Sequence, residues 1–325
     1  MQLYPLKFET ILKSTIWGGE KIASIKGFTP TSNNIGESWE ISDVKNDKSI
    51  VSNGEMKGKN LNELLQTYKE ELVGKAVYDR FADSFPLLIK YIDAHDNLSI
   101  QVHPNDETAK QRHNSLGKTE MWYVVEAEPG AELIMGFEGK RSKEEYLEKV
   151  SNGTLDSILH SVPVEKGDAF FIPSGTVHAI GKGVVIAEIQ ENSDITYRIF
   201  DYNRKDKNGN ERELHTEQAL DVVDFNAYNL SKTPYKINLG GVTPVVQCPY
   251  FTTSVVEMQG GKLERDYSAN DSFVIYMCLE GNMTLHCDGA EPMQVTKGES
   301  ILLPAVFKHV RIETAGACKL LEVYI

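Results

Sequence analysis

Long apolar runs and paired cysteines are both missing from this 325-residue sequence. No apolar stretch is long enough to cross a bilayer, and residues 1–10 alternate in polarity instead of forming the apolar block of a secretory leader. The four cysteines (Cys248, Cys278, Cys287 and Cys318) contain no C-x-x-C pair, which argues against a thiolate zinc knuckle or a redox dithiol. We therefore expect a cytoplasmic protein with free thiols and no membrane partner.

Positive charge is also in short supply. The chain carries 34 Lys and Arg against 47 Asp and Glu, a formal net charge of −13. Because a phosphate backbone is bound mainly through clustered Lys and Arg, this balance argues against a nucleic-acid partner. It leaves room for a small anionic substrate, since one pocket of an acidic protein can be locally positive.

Helical periodicity is confined to a few segments. Residues 60–73 have the spacing of one amphipathic helix, Ser142 and Glu145 form a capping box before a second, and residues 216–223 predict a third. Most of the remaining chain alternates in polarity between Gly, Pro, Asn and Asp turns. This pattern predicts a mainly β fold, a sandwich or barrel rather than a doubly wound parallel sheet.

One motif occurs twice. The pattern G-x5-P-x-G-x2-H spans residues 167–178, and residues 298–309 repeat its spacing with Val306 in place of the second glycine. In each copy a glycine permits a tight turn and a proline ends a strand before the histidine begins the next. The motif is typical of cupin barrels. We therefore predict two cupin-type (jelly-roll) β-barrels with a few short helices, in an N-terminal domain of residues 1–235 and a C-terminal domain of residues 236–325.

The first copy of the motif belongs to a set of polar residues suited to a metal ion. Gln101 and His103 alternate along a predicted strand and face the same side, Lys118 and Glu120 share a face of another, and His178 ends the motif. Two imidazoles, a carboxylate and an amide supply nitrogen and oxygen without thiolate. Such a set suits a catalytic zinc with an open position, although other divalent metals bind similar ligands.

The second copy lacks these ligands. Aligning Glu126 with Glu280 places Val274 where Glu120 stands, and nothing there matches the Gln-x-His pair. An isolated strand histidine is more often a hydrogen-bonding group than a ligand. We therefore interpret His309 as structural and assign the metal, one ion per chain, to the first barrel.

Several segments together resemble the core motifs of type I phosphomannose isomerases, a resemblance that spans essentially the whole chain. The four that carry it are SIQVHP at 99–104, GKTEMW at 117–122, PSGTVHAI at 173–180 and QENSDITYRIFDYNR at 190–204. The resemblance implies two cupin domains and an isomerase that interconverts mannose 6-phosphate and fructose 6-phosphate. It also implies one zinc ion, whose ligands map onto Gln101, His103, Glu120 and His178. Longer members carry a helical insertion between the barrels, so this chain is similar to the short bacterial form.

The resemblance also implies roles beyond the metal. The family's active-site arginine maps onto Arg198, and its phosphate-binding serine and lysine positions match Ser99 and Lys118, with Lys90 as a further candidate. Lys118 is also a candidate to lower the energy of charge that builds up during catalysis. Aldose–ketose isomerisation moves a proton between C1 and C2 through a cis-enediol, which requires an electrophile and a base. The sequence does not identify the base.

Two other functions remain open on the sequence alone. Another cupin isomerase or epimerase of a sugar phosphate would share the metal site, which does not name the sugar. A non-catalytic sugar-phosphate-binding cupin would be expected to have lost Glu120, Lys118 or Arg198, and all three are present. The sequence therefore favours a zinc-dependent aldose–ketose isomerase of a hexose phosphate, and it leaves the oligomeric state open.

Overall fold

The computed structural model describes residues 2–30, 34–205 and 208–325, in which strands predominate. The strands are β1 Leu6–Lys7, β2 Ile11–Gly19, β3 Ile35–Ile41, β4 Asp43–Val44, β5 Asp47–Lys48, β6 Leu87–Ala94, β7 Ile100–Val102, β8 Glu120–Ala127, β9 Glu132–Phe137, β10 Leu159–Pro163, β11 Ala169–Ile172, β12 His178–Ile180, β13 Val184–Glu191, β14 Tyr197–Phe200, β15 Gly241–Gln247, β16 Thr252–Asp266, β17 Val274–Glu280, β18 Asn282–Cys287, β19 Met293–Thr296, β20 Ser300–Leu303 and β21 His309–Tyr324. The α-helices are α1 Lys21–Lys26, α2 Leu61–Tyr68, α3 Glu70–Val73, α4 Lys75–Phe81, α5 Asp106–His113, α6 Lys143–Ser151 and α7 Thr216–Val222. The predicted mainly β fold class is confirmed. No helix in the described residues is long and apolar enough to span a bilayer.

The first barrel consists of two sheets that share one apolar interior. One sheet has the strand order β11-β8-β13-β6-β3-β2 and the other β10-β9-β12-β7-β14. Ile92 and Trp122 of the first sheet pack in one cluster with Met135 and Ile180 of the second. The side chains that alternate along β7, β8, β12 and β13 therefore converge between the two sheets.

The second barrel is an eight-stranded sheet with the main order β1-β20-β17-β21-β16-β15, and β18 and β19 extend it from β21. Its edge includes β1, in which Leu6 pairs with Leu302. A single apolar cluster runs from Tyr91 in the first barrel to Met277 in the second. The predicted domain boundary between residues 235 and 236 stays a prediction, and β1 hydrogen-bonds across it.

The repeated motif forms the same turn in both barrels. The N–H of Gly167 donates to the carbonyl of Val124 at 2.8 Å, and the N–H of Gly298 donates to that of Cys278 at the same distance. Both glycines have positive φ angles, 95° and 84°. These equivalent bonds relate Val124 to Cys278, which is the alignment deduced from the sequence.

The prediction of one continuous helix over residues 60–73 is wrong. An Asn60 capping box begins α2 as the apolar spacing suggests, but the helix ends at Tyr68 and Lys69 has a φ of 47°. In the short α3 that follows, the carbonyls of residues 71, 72 and 73 accept N–H groups of Val306, Ala305 and Phe273. Contacts with the second barrel therefore occupy carbonyls that a longer helix would have used, which helical periodicity cannot reveal.

The other two helix predictions are confirmed. The Ser142 hydroxyl accepts the N–H of Glu145 and caps α6, although the Glu145 carboxylate contacts Arg141 instead of completing the box. The third helix is α7, Thr216–Val222. The polar helix α5 was not predicted, because its sequence DETAKQRH has no apolar face.

Candidate metal centre and active site

Two histidines and a glutamate meet between the sheets of the first barrel. His103 follows the last residue of β7, Glu120 opens β8 and His178 opens β12. All three are buried, and ligand atoms of the three lie within 4.8 Å of one another. Within the described part of the chain this is the one group of His, Cys, Asp and Glu side chains so arranged.

The hydrogen bonds of the two imidazoles fix which nitrogen faces the cluster. The Nδ1 of His103 lies 3.0 Å from the carbonyl of Ile195, and the Nδ1 of His178 lies 2.9 Å from that of Thr176. Since a carbonyl only accepts, each Nδ1 carries the proton and each Nε2 presents a lone pair. The two Nε2 atoms are 3.1 Å apart. Two lone pairs at this distance repel unless a cation lies between them, and a backbone-anchored Nδ1 is typical of metal-binding histidines.

Glu120 completes the cluster as a fully buried carboxylate. Its oxygens lie 3.3 Å from His178 Nε2 and 3.6 Å from His103 Nε2, and neither has a hydrogen-bond donor of good geometry among the described residues. Burial raises the pKa of Glu120 to about 8, although the charge of Lys118 opposes the shift. A buried carboxyl group that faces the Nε2 atoms of two imidazoles is a ligand set that fits a divalent metal ion.

The imidazoles are suited to the same role. Burial and the ammonium of Lys118 lower the pKa of His178 to about 4 and that of His103 well below its usual value. Both side chains are therefore neutral at pH 7, the form in which imidazole binds a metal. Lys118 Nζ lies 2.9 Å from His103 Nε2 and 3.1 Å from a Glu120 oxygen.

Gln101 is brought beside this cluster by strand register. Its Cα is paired with His178 on β12 and with Arg198 on β14. Directly opposed residues of antiparallel strands project to the same face, so Gln101, His178 and Arg198 form a row across three strands. Whether Gln101 is a ligand stays a prediction.

A cavity of about 140 Å³ adjoins the cluster. Its wall includes Gln101 and Lys118, which also lie beside the metal cluster. Ser99 lines the same cavity. Its cationic lining residues are Lys90, Lys118, Arg198 and Arg212, and its acidic ones are Glu37, Glu188 and Asp194. The cavity is therefore richer in positive charge than the chain as a whole.

Arg198 lies in this wall and forms no ion pair with the acidic side chains that the structure describes. One Nη donates to the backbone carbonyl of Glu213 at 2.8 Å, and Nε is buried without an acceptor among the described residues. The carboxylate of Asp201, a residue that could have neutralised it, instead binds Arg204 and Arg212. The guanidinium thus retains capacity for an anionic ligand.

Lys90 and Glu188 form a buried pair beneath the cavity. They are opposed on β6 and β13, with Nζ 3.1 Å from a Glu188 oxygen and 3.4 Å from Glu37. Burial alone would raise the pKa of Glu188, but Lys90 and Lys118 outweigh it and lower that pKa to about 2. The Trp122 indole donates to the other Glu188 oxygen at 2.9 Å. The cavity therefore contains a carboxylate held in its charged form.

Sequence reasoning missed Arg212 and gave no role to Glu188. Glu188 alternates with Gln190 on one face of β13, which signals a polar interior but not a partner. Arg212 lies in an irregular segment, and its Nε and Nη2 donate to both oxygens of Asp201. No spacing in the sequence indicates that this loop returns to the cavity.

Among the described residues, the second barrel has no cluster equivalent to that of His103, Glu120 and His178. Leu303 pairs with Val274 where Ile172 pairs with Glu120, so an apolar side chain stands at the carboxylate position. His309 is largely exposed, and its Nδ1 lies 3.6 Å from the similarly exposed Asp266.

Comparison with known proteins places this architecture in a family. Residues 5–148 match the model of the phosphomannose isomerase type I catalytic domain, and residues 242–325 match that of the mannose-6-phosphate isomerase cupin domain. A mannose-6-phosphate isomerase of Streptococcus mutans is 39% identical over 94% of this chain and 93% of its own, and ManA of Bacillus subtilis is 36% identical over 98% of both. A crystal structure of the Bacillus subtilis mannose 6-phosphate isomerase has a TM-score of 0.88 at 33% identity, covering 99% of this chain and all of the other.

The matches to the two relatives and to the crystal structure extend over nearly the full length of both compared chains. Together with the cupin-domain match, they confirm the cupin architecture predicted from the repeated motif. The chain belongs to the type I phosphomannose isomerase family.

Proposed function

We propose that this chain is a mannose-6-phosphate isomerase that interconverts mannose 6-phosphate and fructose 6-phosphate through a cis-enediol. One zinc ion per chain would be held by Gln101, His103, Glu120 and His178. The observation that carries the proposal is the pair of buried imidazole Nε2 atoms 3.1 Å apart, with the buried Glu120 carboxyl group beside them, next to a cavity lined by four cationic side chains. The names of the full-length relatives supply the substrate.

The bound metal would supply Lewis acidity toward the substrate's carbonyl and hydroxyl oxygens. The chain's own residues would do the rest. Ser99, Lys118 and Arg198 are arranged around one cavity and offer a hydroxyl, an ammonium and a guanidinium to the substrate's phosphate and oxygens. Lys118, 3.1 Å from Glu120, and Arg198 would also stabilise negative charge that develops on the enediolate.

The isomerisation also requires a group that carries the proton between C1 and C2. We assign this role to Glu188, because it is a buried carboxylate in the wall of the cavity. Trp122 and Lys90 hold its two oxygens and fix its orientation. Replacement of Glu188 by glutamine should leave the metal bound and abolish the exchange of the C2 proton with solvent.

A coupled assay tests the proposal directly. Fructose 6-phosphate formed from mannose 6-phosphate is measured before chelation, after chelation and after zinc is restored. Turnover that the chelator abolishes and zinc returns would support both the reaction and the metal. If a folded, zinc-loaded sample shows no turnover, a panel of other hexose phosphates separates a different isomerase or epimerase from a binding protein.

A further inference from the structure

The residues on both sides of Lys118, Gly117 and Thr119, each donate a backbone N–H to an acidic side chain. The N–H of Gly117 donates to Asp106 Oδ1 at 2.8 Å, and the N–H of Thr119 donates to Glu191 Oε2 at 2.7 Å. Glu191 also donates its own backbone N–H to the carbonyl of Thr119 at 3.2 Å. Lys118 precedes β8 and therefore has no strand ladder to hold it.

The same segment is tied to the chain that follows His103. The N–H of Lys118 donates to the carbonyl of Pro104 at 3.1 Å. A Cβ on Gly117 would lie 2.6 Å from the backbone nitrogen of Asp106, so the start of α5 packs directly against this turn. The position of Lys118 is thus fixed relative to both His103 and Glu120, which its ammonium contacts.

We propose that Asp106 and Glu191 are positioning residues for Lys118, a clamp that holds its ammonium between the metal cluster and the substrate cavity. The inference rests on the proposed function, since it assigns Lys118 a part in the isomerisation. It goes beyond that function because neither carboxyl group lines the cavity or belongs to the cluster.

The surroundings of Glu191 make the clamp sensitive to protonation. Burial and, to a smaller extent, the nearby Asp106 carboxyl together raise the pKa of Glu191 to about 8, although the hydrogen bond from the Thr119 N–H opposes the shift. The other titratable groups close to this pair are Tyr250 and Cys248 of the second barrel, and Arg80 lies beside them. At pH 7 the Glu191 side chain is therefore protonated, and its Oε2 accepts the Thr119 N–H. Above pH 8 the ionised Glu191 would still accept the Thr119 N–H, but its charge would repel the Asp106 carboxylate that holds Gly117 and so loosen that side of the clamp.

The experiment compares two substitutions at one position in the full-length, zinc-loaded protein. Glu191→Gln keeps an oxygen acceptor and a neutral group, so we expect turnover of mannose 6-phosphate at pH 7 within about twofold of the unmodified protein. Glu191→Ala removes the acceptor, and we expect kcat to fall by about 10–100-fold with the zinc content unchanged.

Glu299→Ala is the matched control. Glu299 lies in the second barrel, and its side chain also accepts a backbone N–H, that of Thr296, at 2.8 Å. Its kcat should not change.

The pH profile supplies a readout that a purely structural role would not move. The kcat of the unmodified protein should fall as pH rises through about 8, and Glu191→Gln should lose that alkaline limb. Unchanged kcat in Glu191→Ala, loss of zinc together with turnover, or an identical alkaline limb in Glu191→Gln would each overturn the proposal. Failure of the unmodified, zinc-loaded protein to turn over mannose 6-phosphate would contradict the proposed function instead, so the two failures are distinct.

Discussion

His178 and His309 occupy equivalent positions of one motif but have opposite environments. His178 is buried against Glu120, whereas His309 is exposed and lies at the solvent-facing start of β21. We expect His178→Ala, and likewise His103→Ala, to lose bound zinc and isomerase turnover together, because each removes one of few ligands. His309→Ala should retain both. Metal analysis after gel filtration and the coupled assay measure the two properties, and a metal-free but active His178→Ala protein would contradict the site.

Arg198 is predicted to serve the substrate and not the metal. Its guanidinium lines the cavity, and the described acidic side chains are not its hydrogen-bond acceptors. We expect Arg198→Ala to retain zinc while kcat/KM falls by about 100-fold or more, as for other groups that stabilise developing charge. Arg141, which pairs with Glu145 on the surface of α6, is the control position, and Arg141→Ala should behave as the unmodified protein. Full turnover in Arg198→Ala would rule out the assigned role.

For individual residues, the sequence predicted which side chains face the site wherever alternation along one strand decides it. The period of two predicts that Gln101 and His103 face the same side, and the repeated motif identifies His178. Lys118 contacts Glu120, as the same period predicts, although Lys118 lies just before β8 and not on it. The Lys90–Glu188 pair depends on the register between β6 and β13, which alternation within one strand does not specify. Arg212 depends on the path of an irregular loop, for which the sequence contains no periodic signal.

The two turn glycines of the repeat allow a test at the scale of one structural element. Both have positive φ, where a Cβ costs about 1–3 kcal/mol. A Cβ on Gly167 would meet nothing closer than 3.8 Å, whereas one on Gly298 would lie 2.7 Å from the carbonyl oxygen of Ile25 at the end of α1. We therefore expect Gly298→Ala to lower the free energy of unfolding by about 1–3 kcal/mol more than Gly167→Ala. Urea denaturation of both variants measures the difference, and equal losses would contradict the packing of α1 on this turn.

Element boundaries show why local patterns were only partly sufficient. The start of α2 at Asn60 is encoded by a capping box, and its apolar face by Leu61, Leu64 and Leu65. Its end is not encoded locally, because the carbonyls of α3 accept hydrogen bonds from segments 200 or more residues away. Tertiary hydrogen bonds of this kind can end a helix that the local apolar spacing would continue, and the sequence of the segment does not indicate them.

At the scale of the whole molecule, the two barrels also repeat a buried carboxylate. Glu188 is opposed to Trp122 between β13 and β8, and Glu322 is opposed to Tyr276 between β21 and β17. Glu322 is fully buried and receives two hydrogen bonds from Arg265, at 2.7 and 2.9 Å. Its charge is thus neutralised within the second barrel, whereas Glu188 faces a cavity.

The stability of the two barrels should be linked through β1. Leu6 is fully buried in the sheet of the second barrel, and the chain then continues into β2 of the first. We expect Leu6→Ala to lower the free energy of unfolding by about 2–5 kcal/mol. Leu12, which is 39% exposed on β2, is the control, and Leu12→Ala should change it by less than about 0.5 kcal/mol. Chemical denaturation followed by tryptophan fluorescence measures both, and similar effects of the two changes would contradict the pairing of β1 with β20.

The pairing of Leu6 with Leu302 also sets an order of events during synthesis. The ribosome delivers β20 about 300 residues after β1, an interval of about 15–60 s at ordinary translation rates. Throughout that interval the nascent chain carries an edge segment whose partner has not yet been made. The first barrel can begin to assemble on the ribosome, but the second cannot close until β20 has been synthesised. A protein truncated by premature termination would therefore expose β1 and be a natural substrate for chaperones.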